Sequence, residues 1–223
     1  MTQKYVVKGS QRPQRTLVML SGGIDSTAAL WHVLNRPKEY GQVHVHHVHM
    51  QNPENRWMAE AQAVKAVLAY LQEHSPTPFT SSESTVNTPH LNGQFLFDTE
   101  TTGFITGYMT SRDPLITKVI FGATGTDFAR GVSEAVARGK RLHNAFYLDG
   151  KDHSGAVKEY PHKDLPKEEV YKTLPPELAQ LTWSCRTPNY VDGKALECGR
   201  CKTCLLELKL VQRPKTTGRR ILK

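Results

Sequence analysis

The chain has no run of about 18 apolar residues, the length a helix needs to cross a bilayer, and no apolar signal-type stretch follows Met1-Thr2-Gln3-Lys4-Tyr5. A helical membrane protein is excluded, and a cytoplasmic protein is the expectation. Cysteine is scarce: the four present all fall between Cys185 and Cys204. With no apolar signal-type stretch at the start, a disulfide framework is not expected to organise the fold. The Walker phosphate motif is missing too, because no glycine-rich loop here ends in Gly-Lys-Ser or Gly-Lys-Thr. There is no internal repeat of fixed period.

What is present suits one sizeable soluble domain. Hydrophobic residues are 38% and charged residues 22% of 223, enough apolar material for a core and too much for a disordered chain. A formal charge of +8 suits a polyanionic ligand, with ATP and nucleic acid as the two classes. The tail from Lys215 to Lys223 concentrates some of that charge and reads as a solvated end.

Periodicity gives the organisation. Thr16 to Leu20 is a short apolar run entering Ser-Gly-Gly, which predicts a buried strand and a tight turn. Ala28, Ala29, Leu30, Trp31 and Val33 predict a helix that stops near Asn35-Arg36-Pro37. Val43 to Met50 predicts a second strand, and Met58 to Glu73 a second amphipathic helix. Phe79 to Val86 has the content of a third strand within a Ser, Thr and Pro rich stretch, and Phe104 to Met109 reads as helix. Lys118 to Phe121 repeats the strand-then-loop pattern, running into Gly122-Ala123-Thr124-Gly125-Thr126-Asp127. Further helices are expected over Ser133 to Arg141 and from Pro166, and residues 149–165 read as polar and irregular. The alternation predicts an α/β fold, a Rossmann-like parallel sheet with helices on both faces. Residues 1–15 read as a lead-in, 16–180 as the α/β domain, 181–212 as a metal-binding segment packed on it and 213–223 as a basic tail.

Four histidines in the second strand invite a metal reading. In a strand His44 and His46 face one side and His47 and His49 the other, so no face collects three ligands, and satisfied polar or core histidines are the expectation.

The strongest motif is Ser21-Gly22-Gly23-Ile24-Asp25-Ser26-Thr27. A strand that passes through two glycines directly into a helix leaves backbone N–H groups aimed at one point, which suits an anion. The glycines let a phosphate approach the main chain, and Ser21 and Ser26 offer hydroxyls. Asp25 would repel bare phosphate, so its expected task is to hold Mg²⁺ against a triphosphate. Leu20 to Thr27 are the expected nucleotide contacts, with Asp25 and Ser26 in the catalytic role. The plainer account is an ordinary capped strand-to-helix turn, against which the length of the matched string argues.

Cys185, Cys198, Cys201 and Cys204 give a Cys-x2-Cys-x2-Cys run with one thiolate upstream, the pattern of a tetrahedral Zn²⁺ site. Four thiolates leave no position open for water, so the expected role is structural. An iron–sulfur centre is the alternative.

The Ser-Gly-Gly-Ile-Asp-Ser string resembles the signature of the PP-loop ATP pyrophosphatases, which split ATP between its α and β phosphates. Together with Thr182-Trp183-Ser184-Cys185 and Cys198-Gly199-Arg200-Cys201-Lys202-Thr203-Cys204, it resembles the 7-cyano-7-deazaguanine synthase family, over about residues 16–205. That resemblance implies an ATP-dependent C–N ligase of queuosine biosynthesis. It would use ATP, Mg²⁺ and Zn²⁺, take a heterocyclic carboxylate and ammonia as partners, and place Asp127 beside the substrate. The chain departs from the family where a deazapurine would be gripped. Ala129-Arg130-Gly131-Val132 replaces a Tyr-Pro-Asp stretch, His49-Met50-Gln51-Asn52 replaces Tyr-Gly-Gln, and the region of Leu91 to Phe95 lacks Pro-Gly-Arg-Asn. Competing readings are a PP-loop enzyme that adenylates another acceptor, a tRNA base included, and a non-catalytic nucleotide- and zinc-binding protein. A homodimer is left open.

Overall fold

A computed structural model describes residues 14–88, 98–129, 131, 133–147 and 155–210. The expected lead-in before Gln14, the Leu91 to Phe95 segment, Arg130, Val132 and the basic tail lie outside these residues.

The core is a five-stranded, wholly parallel sheet in the order β3-β2-β1-β4-β5, built from β1 (Arg15–Met19), β2 (Gln42–Gln51), β3 (Phe79–Asn87), β4 (Ile116–Ile120) and β5 (Val157–Glu159). Parallel strands need crossovers, and the helices supply them. They are α1 (Ile24–Leu34), α2 (Pro37–Tyr40), α3 (Trp57–His74), α4 (Asp98–Arg112), α5 (Gly125–Ala129), α6 (Ser133–Asn144), α7 (Lys167–Lys172) and α8 (Pro176–Leu181). A small antiparallel hairpin, β6 (Asn189–Val191) and β7 (Lys194–Leu196), and α9 (Lys202–Leu210) complete the chain.

β1 is buried on both faces, as its unbroken apolar run requires. Val18 and Leu20 join Ala28, Leu30, Val33, Val64, Val67 and Leu178 on one side, while Leu17 and Met19 meet Ile116, Ile105 and Met109 on the other. Helices therefore cover both faces, the arrangement expected from the sequence. No helix among the described residues is long and apolar enough to cross a membrane.

Three elements differ from expectation. Helix α4 runs from Asp98 to Arg112, more than twice the predicted Phe104 to Met109, because its buried face is made of Thr101, Gly103, Thr106, Gly107 and Thr110, which carry little hydrophobic signal. Strand β5 lies in the stretch expected to be irregular; its three residues are too short and polar to announce a strand, and pairing with β4 supplies the order. The β6–β7 hairpin is likewise too short for a period-2 signal.

The histidine strand alternates as expected. His44 and His46 make a ladder with the β3 hydroxyls, His44 to Thr80 and Ser82, and His46 to Ser82 and Ser84, at 2.7 to 3.0 Å. On the opposite face His47 donates from Nδ1 to the Leu20 carbonyl at 2.8 Å, and His49 pairs with Glu83 at 2.9 Å. Among the described residues the one cluster of three or more ligating side chains close enough to share a metal ion is the four cysteines, and no histidine belongs to it.

Candidate nucleotide site and metal centre

Strand order reverses between β1 and β4, since β1 continues to β2 on one side and β4 to β5 on the other. The carboxyl ends of these two strands leave a crevice, the position where open α/β sheets hold ligands. Ser21 follows β1 and Gly122 follows β4, and both line a cavity of 1070 Å³. That volume lies at the top of the usual range for ligand pockets and accommodates a nucleotide with a second substrate.

The loop between β1 and α1 is pinned by its own hydroxyls. Ser21 N–H donates to Ser26 Oγ at 3.1 Å, the two hydroxyls lie 2.9 Å apart, and Ser26 Oγ donates to the Gly23 carbonyl at 3.1 Å. No side chain caps α1, so its first N–H groups remain available to an anion. Gly22 has φ +79°, the left-handed region, and a Cβ there would meet the Glu60 carbonyl at 3.0 Å. Gly23 has φ −78° and a Cβ would find 3.4 Å of room, so its backbone does not require glycine. Of the residues expected to contact nucleotide, Ser21, Asp25 and Ser26 face the cavity, whereas the side chains of Leu20, Ile24 and Thr27 are buried and leave only main chain to offer.

Asp25 is the charged centre of the cavity. Lys167, the first residue of α7, reaches its Oδ2 from Nζ at 2.7 Å, and the side chains are only 20% and 13% exposed. Burial pushes the Asp25 carboxyl above the ordinary range, with Lys167 opposing and Asp127 adding to the push. Asp25 Oδ1 is buried without a hydrogen-bond partner. A carboxylate so placed fits a divalent cation, which would take Oδ1 and relieve the cost of burial.

Asp127 is brought into the same cavity, but its Oδ2 is occupied locally. It accepts from Thr124 N–H at 2.9 Å and Thr124 Oγ1 at 2.8 Å, the pattern of a side chain closing the turn that starts α5. Phe121 and Tyr160, stacked with centroids 5.4 Å apart, form the adjoining wall.

The cavity continues to a cluster of charges that the sequence did not disclose. Arg56 lies among three carboxylates, donating from Nε to Glu54 at 2.6 Å and from its two terminal nitrogens to Glu60 and Asp98. Arg186 binds Glu54 at 2.9 Å and Asp98 at 3.4 Å. Burial raises the Glu60 carboxyl to about 7, with Arg56 pulling it down and Asp98 pushing it up. The available signal was the Arg56/Glu60 spacing of four residues, which is common on solvated helix faces. Lys167 gave no signal, because the residue it meets lies across the chain.

The four cysteine sulfurs lie within 4.8 Å of one another, and Cys198 and Cys204 are 3.9 Å apart. Tetrahedral Zn–S bonds of about 2.3 Å place sulfurs about 3.8 Å apart, whereas a cubane spreads its thiolates over four irons. The donor set therefore fits a single ion. A hydrogen bond from Cys204 lowers the Cys185 thiol to about 5, and the same contact pushes the Cys204 thiol up. The cysteine cluster is joined to the β1–α1 loop: Trp183 N–H donates to the Gly22 carbonyl at 2.8 Å, and Cys185 lines the cavity.

No family model and no curated protein matches the chain. Among solved structures, the U34-tRNA thiolase NcsA from Methanococcus maripaludis, determined with its 4Fe–4S cluster, is similar at 16% identity and a TM-score of 0.50. The similarity covers 77% of this chain and 58% of the thiolase, so the chain spans little more than half the length of that protein. At this identity the likeness shows the fold.

Proposed function

We propose that the chain binds ATP with Mg²⁺ and adenylates the carboxylate of a heterocyclic acid, releasing pyrophosphate, after which ammonia displaces AMP to give the amide. The observation that carries this reading is Asp25, buried, with one oxygen on Lys167 and the other unpartnered, in the first turn of a helix whose first N–H groups are not capped by a side chain. The loop fits a triphosphate, and Asp25 with the cation it would hold fits its charge. A carboxylate oxygen leaves poorly until phosphorus is attached to it. The loop amides, Ser21, Ser26 and Lys167 hold the departing pyrophosphate where its charge develops, which is the main source of rate in such transfers. Mg²⁺ would neutralise phosphate charge at Asp25, and Zn²⁺ held by Cys185, Cys198, Cys201 and Cys204 would fix the Trp183 to Cys185 segment against the loop.

The resemblance of the two end motifs supports 7-carboxy-7-deazaguanine as the acid, with a second ATP dehydrating the amide to the nitrile. The reading is tested by incubating the purified protein with ATP, Mg²⁺, ammonium and this acid. Pyrophosphate, AMP and the nitrile are expected; pyrophosphate without consumption of the acid transfers the reading to another acceptor, and no pyrophosphate with any acid removes it.

A second reading, sulfur transfer to an adenylated tRNA base, is favoured by Cys185 lining the same cavity as Asp25. The thiolase similar in fold acts on tRNA. Against it, the close packing of all four sulfurs suits one ion, which would leave none to carry sulfur.

A further inference from the structure

A lysine carries its charge on a flexible four-carbon stem, so the point its ammonium occupies depends on how firmly the main chain beneath it is held. Lys167 opens α7, and the residue before it, Pro166, offers no hydroxyl to cap the helix. The oxygen comes from another element. Thr126 Oγ1, in α5, accepts the Lys167 N–H at 3.1 Å. Beside it Gly125 N–H donates to the Leu165 carbonyl at 2.8 Å, and the buried Thr124 pairs with His162 in an isolated parallel bridge. The approach is close: a Cβ on Gly125 would lie 3.1 Å from the carbonyl oxygens of both Lys163 and Leu165. The stretch from His162 to Lys167 is therefore laid along the loop that follows β4, and Val170 and Leu174 anchor what comes next in the core.

Thr126 is half-buried and does not line the cavity, whereas its neighbour Asp127 and its partner Lys167 both do. Its link to the site runs through the Lys167 main chain. The loop that presents Asp127 thus also holds the residue that neutralises Asp25. We infer that Thr126 is a positioning residue for the proposed reaction: by holding the Lys167 N–H it sets the lysine ammonium against Asp25 Oδ2 and beside the departing pyrophosphate. A hydroxyl that merely closes the end of a short helix would serve the fold equally well with any side chain at position 167, and that difference is what an experiment reads. The inference rests on the reading under Proposed function, to which it adds a residue outside the cavity lining.

Valine has nearly the shape of threonine without the oxygen, and serine keeps the oxygen. Thr126→Val is expected to lower kcat for pyrophosphate release about tenfold while KM for ATP stays within about twofold, the scale of one hydrogen bond whose loss is felt in the transition state. Thr126→Ser is expected to recover most of that loss. In a Lys167→Ala background Thr126→Val is expected to slow the reaction no further, since no ammonium is left to place. A wild-type rate in Thr126→Val, a Thr126→Ser variant equally slow, or the same loss with and without the lysine side chain, overturns the inference. Urea unfolding repeats the cycle without substrate: Thr126→Val is expected to destabilise the Lys167→Ala chain less than the wild type, and equal destabilisation overturns the inference. If no acid yields pyrophosphate, the ligase reading falls and the unfolding cycle alone decides whether Thr126 places Lys167 on Asp25.

Discussion

Lys167 Nζ sits 2.7 Å from Asp25 Oδ2, closing an ion pair between residues 142 positions apart. Both groups face the cavity in which a triphosphate would lie, so the pair has two uses. Without nucleotide it neutralises a buried carboxylate; with Mg·ATP, Asp25 serves the cation and Lys167 the phosphates. Lys167→Ala is expected to lower kcat for pyrophosphate release by about 10²- to 10³-fold, the range for removing a preorganised charge. Pyrophosphate release at the wild-type rate would return Lys167 to a purely structural role.

The metal centre touches the phosphate loop through Trp183 N–H and the Gly22 carbonyl, so its loss should be felt by ATP. About one equivalent of zinc per chain is expected in the purified protein, with iron and labile sulfide absent. Removal by a chelator is expected to lower the Tm and weaken ATP binding together. A stripped sample that keeps its wild-type Kd for ATP would separate the centre from the loop.

Two glycines of the site differ in what they tolerate. A Cβ on Gly122 would lie 2.3 Å from Ser26 N, whereas one on Gly23 would lie 3.4 Å from its nearest neighbour. Gly122→Ala must push the β4 loop off the start of α1, at a cost of about 1–3 kcal/mol, or a fall in Tm of roughly 5 °C. Gly23→Ala is expected to melt within about 2 °C of wild type, on the same scale. Thermal melts of the two variants decide the point, and equal loss in both would contradict the geometry.

Burial lowers His46, His47 and His162 to about 4, from 6.5 in water. Between those values the unfolded chain binds protons that the folded chain refuses, so this stability is full above 6.5 and is lost as pH falls toward 4. Glu60 acts in the opposite sense: raised to about 7, it holds its proton longer in the folded state, so stability falls as pH rises from 4.5 to 7. His47→Gln isolates one group, since glutamine can still donate to the Leu20 carbonyl. Urea unfolding at about pH 7.5 and pH 5 is expected to show a smaller acid loss in the variant. An identical loss would exclude His47 from the acid sensitivity.

The sequence disclosed what is local. The β1-loop-α1 unit, β2, α3 and the four cysteines each carry their signal within a few residues, as apolar periodicity, glycine or metal spacing. What it hid is what distant segments supply to one another. Lys167 opens an ordinary polar helix, and only the fold brings it to Asp25. Arg56, Glu60, Asp98 and Arg186 come from three segments, and their charges read one by one as solvated surface. Asp127 lines the cavity, yet the two bonds it accepts from Thr124 show an oxygen used for the turn. The weight given to Gly23 shifts to Gly122, whose constraint arises from Asp25 and Ser26 at the start of α1, far off in the chain, and leaves no local mark.

The bond from Trp183 N–H to the Gly22 carbonyl has a bearing on synthesis. Translation delivers the glycine turn early and its clamp late, with nearly the whole sheet made in between. A ribosome-bound chain that has not passed Trp183 holds the turn without the residue that fixes it. The turn between β1 and α1 therefore gains its full set of contacts only after most of the sheet has been synthesised.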